Sequence, residues 1–263
     1  MAKKRNIIVG QSGGPTSVIN SSVVGLLEAN KTLGSFNKVF AGLNGIEGIL
    51  NGNIIELSSI SQEEINNFKY TPSSGLGSCR YKMKKLEEST EEYDKLLEIL
   101  KANDIKAFFY VGGNDSMDTT AKLSAYAKKT GIDVKFIGIP KTIDNDLMYT
   151  DHTPGFGSAA KFIATSVLET YLDSSVYINN GIFILETMGR DTGWLASAAA
   201  LAKLNGKQVA DFIYLPETAF DIDKFLVDVK NKFEEQNQVY IVVSEGIRNA
   251  EGKFIAEAHA QAH

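Results

Sequence analysis

Short apolar runs alternate along the chain with longer segments in which apolar residues recur at helical spacing. Several of these runs are almost continuously apolar, which is typical of strands in a sheet that is covered on both faces. The predicted strands are 6–10, 38–41, 107–111, 134–139, 181–186, 212–215 and 239–243. The predicted helices are 17–29, 91–102, 116–129, 157–171, 192–203 and 222–236.

The order of these elements predicts an α/β fold. Strands alternate with helices, and parallel strands joined by right-handed helical crossovers satisfy that order. We therefore expect a Rossmann-like, open, mostly parallel sheet with helices on both faces. We also expect two lobes, residues 1–150 and 151–263, and we interpret the polar, glycine-containing stretch 58–78 as a functional loop or an excursion from the sheet.

Composition narrows the class of protein. The chain has 263 residues, of which 43% are hydrophobic, so it can bury a substantial core. Its net charge is -5 with no basic block, which argues against nucleic acid as a partner. No apolar run approaches the roughly 18 residues of a membrane helix. The single cysteine, Cys79, excludes an intrachain disulfide. Together these features predict a cytoplasmic protein with no membrane partner.

Polar clusters follow four of the predicted strands, where open α/β sheets bind their ligands. The first runs from Gln11 to Ser17, and its Gly13 and Gly14 would let a backbone approach a phosphate ahead of a helix N-terminus. A tight turn between strand and helix is the alternative. The second runs from Val111 to Ser116. Asp115 could hold Mg²⁺ beside a phosphate, or Asp115 or Ser116 could simply cap the next helix.

The third cluster, from Pro140 to Asp146, is the densest. It combines two carboxylates, a lysine, a hydroxyl and an amide where a short loop would suffice. A positioned carboxylate can take a hydroxyl proton and a lysine can neutralise phosphate charge, as phosphoryl transfer requires. The fourth, from Glu186 to Trp194, has Gly189 for a tight bend and Arg190 as a phosphate ligand. A weak surface pair of Arg190 with Asp191 is the alternative.

These four clusters, in this order, resemble the phosphofructokinase family over nearly the whole chain. The segment Gly112 to Ser116 is similar to the family's Gly-Gly-Asp-Gly-Ser motif, and Thr142 to Asp146 matches its catalytic motif residue for residue. The segment Met188 to Arg190 matches its sugar-phosphate loop. The resemblance implies the phosphofructokinase fold, Mg²⁺ as cofactor, and phosphoryl transfer to the C1 hydroxyl of fructose 6-phosphate in glycolysis.

The resemblance also implies roles for residues on the acceptor side. Asp144 would be the general base that takes the C1 hydroxyl proton, and Arg190 would stabilise charge during transfer. Thr142 and Asp146 would position the sugar and help to organise the metal, and Glu245 would bind sugar hydroxyls. The full predicted acceptor set is Thr142, Ile143, Asp144, Asp146, Met188, Gly189, Arg190 and Glu245.

On the donor side, the resemblance implies that Gly13 lets the phosphate approach the backbone, and that Arg80 and Lys141 bind its charge. Asn114 and Asp115 would be the metal ligands. Because asparagine stands where the family has an aspartate, Asn114 offers only a neutral oxygen. The residues expected to take part in catalysis are Asp144, Lys141, Asp115 and Arg190.

Two positions favour pyrophosphate as the donor. ATP-dependent members of the family usually carry glycine where Asp115 and Lys141 stand, and pyrophosphate-dependent members resemble this chain. A side chain at Asp115 would fill the room that ATP needs for its α-phosphate and nucleoside, and Lys141 would supply charge to the compact pyrophosphate. Three hypotheses stay open: a pyrophosphate-dependent enzyme, an ATP-dependent enzyme, or a non-catalytic homologue that binds phosphorylated metabolites.

Length is the last departure from the family pattern. The family continues with a His-Gln-Gly-Gly-like segment and basic residues that grip the 6-phosphate, whereas this chain stops at His263. We therefore expect the second lobe and its sugar-phosphate site to be incomplete. By analogy with the family, we expect a homodimer or homotetramer. His259 and His263 have the i, i+4 spacing of helical metal ligands, but a frayed terminus explains that spacing better.

Overall fold

The structure, a computed structural model, describes residues 4–177 and 181–258. It divides into two units, Met1–Lys141 and Thr142–His263, so the predicted boundary after residue 150 lies inside the second unit. Each unit is built around a parallel sheet with helices packed against it. The predicted α/β class with mostly parallel strands is confirmed.

The first unit contains a five-stranded sheet. Its elements are β1 (Asn6–Gln11), α1 (Ser17–Leu33), β2 (Val39–Gly42), α2 (Gly45–Leu50), β3 (Ile54–Glu56), α3 (Gln62–Tyr70), α4 (Glu91–Ala102), β4 (Ile105–Gly112), α5 (Asn114–Thr130) and β5 (Lys135–Pro140). The strand order is β3-β2-β1-β4-β5. All neighbours are parallel except β3, which pairs antiparallel with β2 at one edge.

The central strand β1 is buried on both faces, as its apolar run predicts. Ile7 and Val9 belong to the core cluster that includes residues of α1 and α3. Ile8, which points to the opposite face, packs in the cluster that includes residues of α2, α4 and α5. Phe108 on the neighbouring strand β4 joins Ile8 in that second cluster and is fully buried.

The second unit contains a smaller sheet. Its elements are α6 (Phe156–Ser174), β6 (Ile182–Thr187), α7 (Trp194–Ser197), a 3-10 helix (Ala198–Leu201), β7 (Lys203–Leu204), β8 (Lys207–Gln208), β9 (Phe212–Tyr214), α8 (Ile222–Gln236), β10 (Val239–Ser244) and α9 (Ile255–Ala258). Three parallel strands lie in the order β6-β10-β9, and β7 and β8 form a separate antiparallel pair. The middle strand β10 is almost fully buried.

One prediction about secondary structure was incomplete and another was wrong. The stretch 58–78 is an excursion from the sheet, which was one of its two interpretations, and it contains the unpredicted helix α3, whose start is fixed by a capping box between Ser61 and Glu64. The predicted helix 192–203 is only α7 followed by the 3-10 helix, since the chain then turns through Asn205 and Gly206, both with positive φ, into the β7–β8 hairpin.

Strand β6 departs from the expectation of a strand covered on both faces. Its alternate residues Ile182 and Ile184 are 51% and 54% exposed, whereas Phe183 and Leu185 pack into the core. The alternation arises because α6 and α7 pack against one face of β6, whereas α8, on the other face of the sheet, packs against β9 and β10.

The burial of β4 generates a stability prediction. Phe108→Ala removes a fully buried ring that contacts the rings of Tyr110 and Phe136, so the free energy of unfolding in urea should fall by about 3–5 kcal/mol. The control, Leu33→Ala, truncates a side chain that is 73% exposed and should change it by no more than about 0.5 kcal/mol. Equal losses in the two variants would contradict this account of the core.

Candidate active site

Three adjacent parallel strands bring their polar ends to one edge of the first sheet. The register pairs Gln11 at the end of β1 with Val111 on β4, and Gly112 with Pro140 at the end of β5. Backbone bonds continue beyond the strands, from Ser12 N to the Val111 carbonyl (2.8 Å) and from Lys141 N to the Gly112 carbonyl (2.9 Å). Three of the predicted segments therefore begin side by side.

The two glycine loops at this edge approach each other closely. Gly13 has φ +76, and a Cβ built on it would lie 3.2 Å from Gly113 N. Any larger residue would combine backbone strain with a backbone contact. The interpretation of this segment as a tight turn explains the φ value of Gly13 but not its close approach to Gly113. Because of that approach, backbone atoms rather than side chains line this edge of the sheet.

The segment before Arg80 is tied to the first glycine loop. Gly13 N donates to the Cys79 carbonyl (3.1 Å), and the Ser78 hydroxyl donates to the Gly13 carbonyl (2.6 Å). The Ser12 hydroxyl also donates to the Cys79 carbonyl (3.2 Å). Arg80 follows directly, with its side chain exposed. The sequence reasoning missed Ser12 and Ser78, although both adjoin predicted residues.

Lys141 reaches across the same edge. Its Nζ donates to the Gly14 carbonyl at 2.9 Å, which places the ammonium group beside the first glycine loop. The predicted donor residues Gly13, Arg80 and Lys141 thus all belong to segments connected through this loop.

The predicted metal residues Asn114 and Asp115 occupy the first turn of α5, and both are exposed. The N-cap of this helix is Gly113, and no side chain caps it. The alternative in which Asp115 or Ser116 caps the helix is therefore wrong, and Ser116 is instead buried in the turn. Within residues 4–177 and 181–258, no group of three or more His, Cys, Asp or Glu side chains could hold a metal.

Two tyrosines near Cys79 are held in their neutral form. Burial raises the pKa of Tyr110, whose hydroxyl lies 3.5 Å from the sulfur of Cys79. Burial, followed by the bond to Glu92, raises the pKa of Tyr81 to about 12. Both phenols stay protonated at neutral pH, so neither serves as a base.

In the second unit, the backbone around Asp144 is held from two directions. Its N–H donates to the Thr142 hydroxyl (3.0 Å), and its carbonyl accepts from the Thr192 hydroxyl (2.8 Å). Asp144 is partly buried and Asp146 is exposed, so their carboxylates lie in different environments. Fixed backbone geometry on both sides limits how far the Asp144 side chain can move.

Asn145, between the two carboxylates, is a structural residue that the sequence reasoning did not assign. It has φ +60 and is 7% exposed. Its amide donates to the Asp151 carbonyl (3.1 Å) and accepts from Thr153 N (2.8 Å), which closes the loop that follows. Asparagine tolerates the left-handed conformation better than most residues, which was the available signal.

The predicted sugar-phosphate loop adjoins the end of β10. Glu245 Oε1 accepts from Gly189 N (3.3 Å), and Glu245 N donates to the Thr187 carbonyl (2.8 Å). Gly189 has φ +118, and a Cβ there would lie 2.5 Å from the Thr192 carbonyl oxygen, so the bend requires glycine. The loop of residues 188–190 therefore lies beside Glu245, and their shared role in binding the sugar phosphate stays a prediction.

Arg190 is exposed and does not pair with Asp191. Asp191 instead accepts a hydrogen bond from Arg248 at 2.6 Å. The reading of Arg190 and Asp191 as a surface pair is therefore wrong. Among the described residues, Arg190 makes no ion pair, so its charge can act on an anion.

Ile143 and Met188 line an apolar groove of about 300 Å³ between α6 and β6. Other lining residues include Phe162, Ile163 and Leu185. A groove of this kind offers few hydrogen-bond partners for sugar hydroxyls. Ile143 and Met188 are thus positioned beside the polar residues of this unit but contribute apolar contact.

Two further observations concern membrane helices and the terminal histidines. No helix within the described residues is both long enough and apolar enough to cross a bilayer. His259 and His263 lie outside the described residues.

Comparisons with known proteins identify the family. Residues 6–263 match the phosphofructokinase family. A pyrophosphate–fructose 6-phosphate 1-phosphotransferase of Methylococcus capsulatus is 46% identical over 257 residues, which cover 97% of this chain and 61% of that protein. A relative with the same name from Xanthomonas campestris is also 46% identical, over 96% of this chain and 60% of its own length.

Solved structures of this family share the fold of the chain. The crystal structure of a pyrophosphate-dependent phosphofructokinase from Nitrosospira multiformis superposes with a TM-score of 0.81 at 41% identity, covering 95% of this chain and 62% of that one. The chain thus spans about 60% of the length of the curated relatives it matches. On the family match, the identity and the shared fold, this chain belongs to the phosphofructokinase family.

Proposed function

We propose that this chain supplies the reaction centre of a pyrophosphate-dependent 6-phosphofructokinase. The observation that carries the proposal is the Lys141 ammonium group, held against the Gly14 carbonyl beside two closely packed glycine loops, three residues before Asp144. That arrangement offers a fixed cation and backbone to a compact phosphate donor. The relatives with 41–46% identity carry pyrophosphate-dependent names.

In the proposed reaction, the C1 hydroxyl oxygen of fructose 6-phosphate attacks one phosphorus of pyrophosphate. The hydroxyl proton passes to the Asp144 carboxylate, the bridging P–O bond breaks, and inorganic phosphate leaves. The products are fructose 1,6-bisphosphate and phosphate. One phosphoanhydride is exchanged for a phosphate ester, so the reaction can also run in reverse. Lys141 and Arg190 offset the negative charge that spreads over the transferred group.

We assign donor recognition to the first unit. Gly13 lets pyrophosphate approach the backbone, and Arg80 and Lys141 bind its charge. Asp115, exposed on the first turn of α5, occupies space that ATP would need for its α-phosphate and nucleoside. The ATP-dependent and non-catalytic alternatives remain as outcomes of the tests below.

Mg²⁺ fits the exposed oxygen atoms of Asn114 and Asp115. This ion usually takes only one or two protein carboxylates and completes its shell with substrate phosphates and water. Coordination of this kind does not require a larger acidic cluster, and the described residues contain none. When bound, Mg²⁺ would neutralise phosphate charge, and Asp146 and Thr142 would help to organise it.

We assign acceptor recognition to the second unit. Glu245 binds sugar hydroxyls, Thr142 and Asp146 position the sugar, and Arg190 contacts phosphate. Ile143, Met188 and Gly189 shape the site around these polar groups. The proposed setting is cytoplasmic glycolysis in a homodimer or homotetramer, and the remaining ligands of the 6-phosphate are expected in the part of the relatives that this chain does not match.

Donor choice gives the first test. In a coupled assay, the protein should form fructose 1,6-bisphosphate with pyrophosphate in preference to ATP. Asp115→Gly combined with Lys141→Gly should lower kcat/KM for pyrophosphate, because the Lys141 charge is lost. The same double variant should raise kcat/KM for ATP, because removal of the Asp115 side chain makes room for the nucleotide. Lys129→Ala, at the other end of α5, should leave both unchanged. Activity with ATP but not pyrophosphate in the unmodified protein would refute the proposal.

The role of Asp144 gives the second test. Asp144→Asn should lower kcat by about 10²- to 10⁴-fold with little change in either KM, since the amide cannot accept the proton. Asp151→Asn, which alters a nearby exposed carboxylate, is the matched control and should retain turnover. Turnover by Asp144→Asn at the level of the control would reject Asp144 as the base, whereas absence of turnover in the unmodified protein would favour a non-catalytic binder.

A further inference from the structure

Two completely buried side-chain amides face each other behind the first glycine loop. Gln11 ends β1 and Asn20 lies in the first turns of α1; both are 0% exposed. Gln11 Nε2 donates to Asn20 Oδ1 at 2.8 Å. Buried amides are unfavourable unless their donors and acceptors are satisfied, so the other partners of these two groups show what they hold.

Asn20 holds the turn that follows α3. Its Nδ2 donates to the carbonyl oxygens of Thr71 (2.9 Å) and Ser73 (3.1 Å). Its Oδ1 accepts from Gly75 N at 2.8 Å. One side chain therefore fixes three backbone groups of one turn.

Gln11 holds the same turn from the sheet side. Its Oε1 accepts from the Ser74 hydroxyl (2.7 Å) and from Leu76 N (3.0 Å). The two amides, which we call the amide pair, thus make five hydrogen bonds to residues 71–76, and these come in addition to the bond between them.

The turn needs such support because its backbone is strained. Ser73 has φ +67, which is unfavourable for a residue other than glycine. The Ser73 carbonyl is one of the groups that Asn20 binds, so the bond acts where the strain lies.

The turn leads directly to the donor residues. Two residues after Leu76, the Ser78 hydroxyl binds the Gly13 carbonyl, and the Cys79 carbonyl accepts from Gly13 N. Arg80 comes next. Gln11 itself precedes Ser12 and Gly13, so the amide pair is connected to the glycine loop along the chain and through the turn.

We propose that Gln11 and Asn20 are positioning residues for pyrophosphate: by fixing residues 71–76, they set the place of Arg80 and the backbone of Gly13. The inference rests on the proposed function. It assigns the pair to the donor alone, because the turn leads to Ser78, Cys79 and Arg80 in the first unit, whereas the proposed acceptor residues belong to the second unit.

The test is Asn20→Asp, which preserves the size of the side chain. It replaces the NH₂ group that binds two carbonyls with an oxygen that repels them. KM for pyrophosphate should rise about tenfold, whereas KM for fructose 6-phosphate should stay within about twofold. Hydrogen exchange at Gly75 N and Leu76 N should become faster.

The matched control is Asn30→Asp on the same helix. Asn30 also bridges backbone groups, accepting from Phe36 N and donating to the Phe36 carbonyl, but it holds a different loop. Both KM values should remain unchanged in this variant. Adding Ser73→Gly to Asn20→Asp relieves the strained φ and should restore part of the affinity for pyrophosphate.

If Asn20→Asp does not fold, a milder variant tests the same inference. Ser74→Ala removes the hydroxyl that contacts Gln11 Oε1 and the Gly77 carbonyl, and it should raise KM for pyrophosphate by about threefold without changing KM for the sugar. Equal changes in both KM values, or no change in either despite faster exchange at Leu76, would overturn the inference. If the unmodified protein neither binds nor uses pyrophosphate, the proposed function itself fails, and hydrogen exchange still reports whether the pair holds the turn.

Discussion

The parallel pairing of β1, β4 and β5 is the constraint on which the proposed donor site depends. Because these strands run in one direction and in fixed register, the residues after Gln11, Gly112 and Pro140 emerge at a single edge. Side chains of β1 and β4 pack into separate core clusters on the two faces of the sheet, and this packing holds the strands in their register. The positions of the glycine loops and of Lys141 follow from this pairing.

The edge is built chiefly from backbone, and that choice explains its surroundings. A side chain at Gly13 would meet the backbone of Gly113, and the loop geometry is set by neighbours: Ser78, the Cys79 carbonyl and the Lys141 ammonium group. Of these neighbours, Ser78 and Cys79 follow closely after a strained turn, which the buried amides of Gln11 and Asn20 hold. A compact, highly charged donor suits an edge that offers fixed cations and backbone.

The sequence was sufficient for features that depend on local pattern. The seven main strands and the acidic and glycine-rich segments at their ends were predicted because apolar runs and polar clusters are visible without tertiary information. Features that depend on distant partners were not: nothing local marks Asn20 as the support of residues 71–75, or shows that Gly113 rather than a side chain caps α5. The capping box at Ser61 was a local signal for α3 that was overlooked.

The central claim, that the glycine-lined edge serves pyrophosphate, is tested most directly by the reverse reaction. Purified protein would be mixed with fructose 1,6-bisphosphate, inorganic phosphate and Mg²⁺ and followed by phosphorus NMR. The account predicts a pyrophosphate resonance that grows in equal amount with fructose 6-phosphate, while no nucleotide is present. Conversion of the bisphosphate only after ADP is added would contradict it.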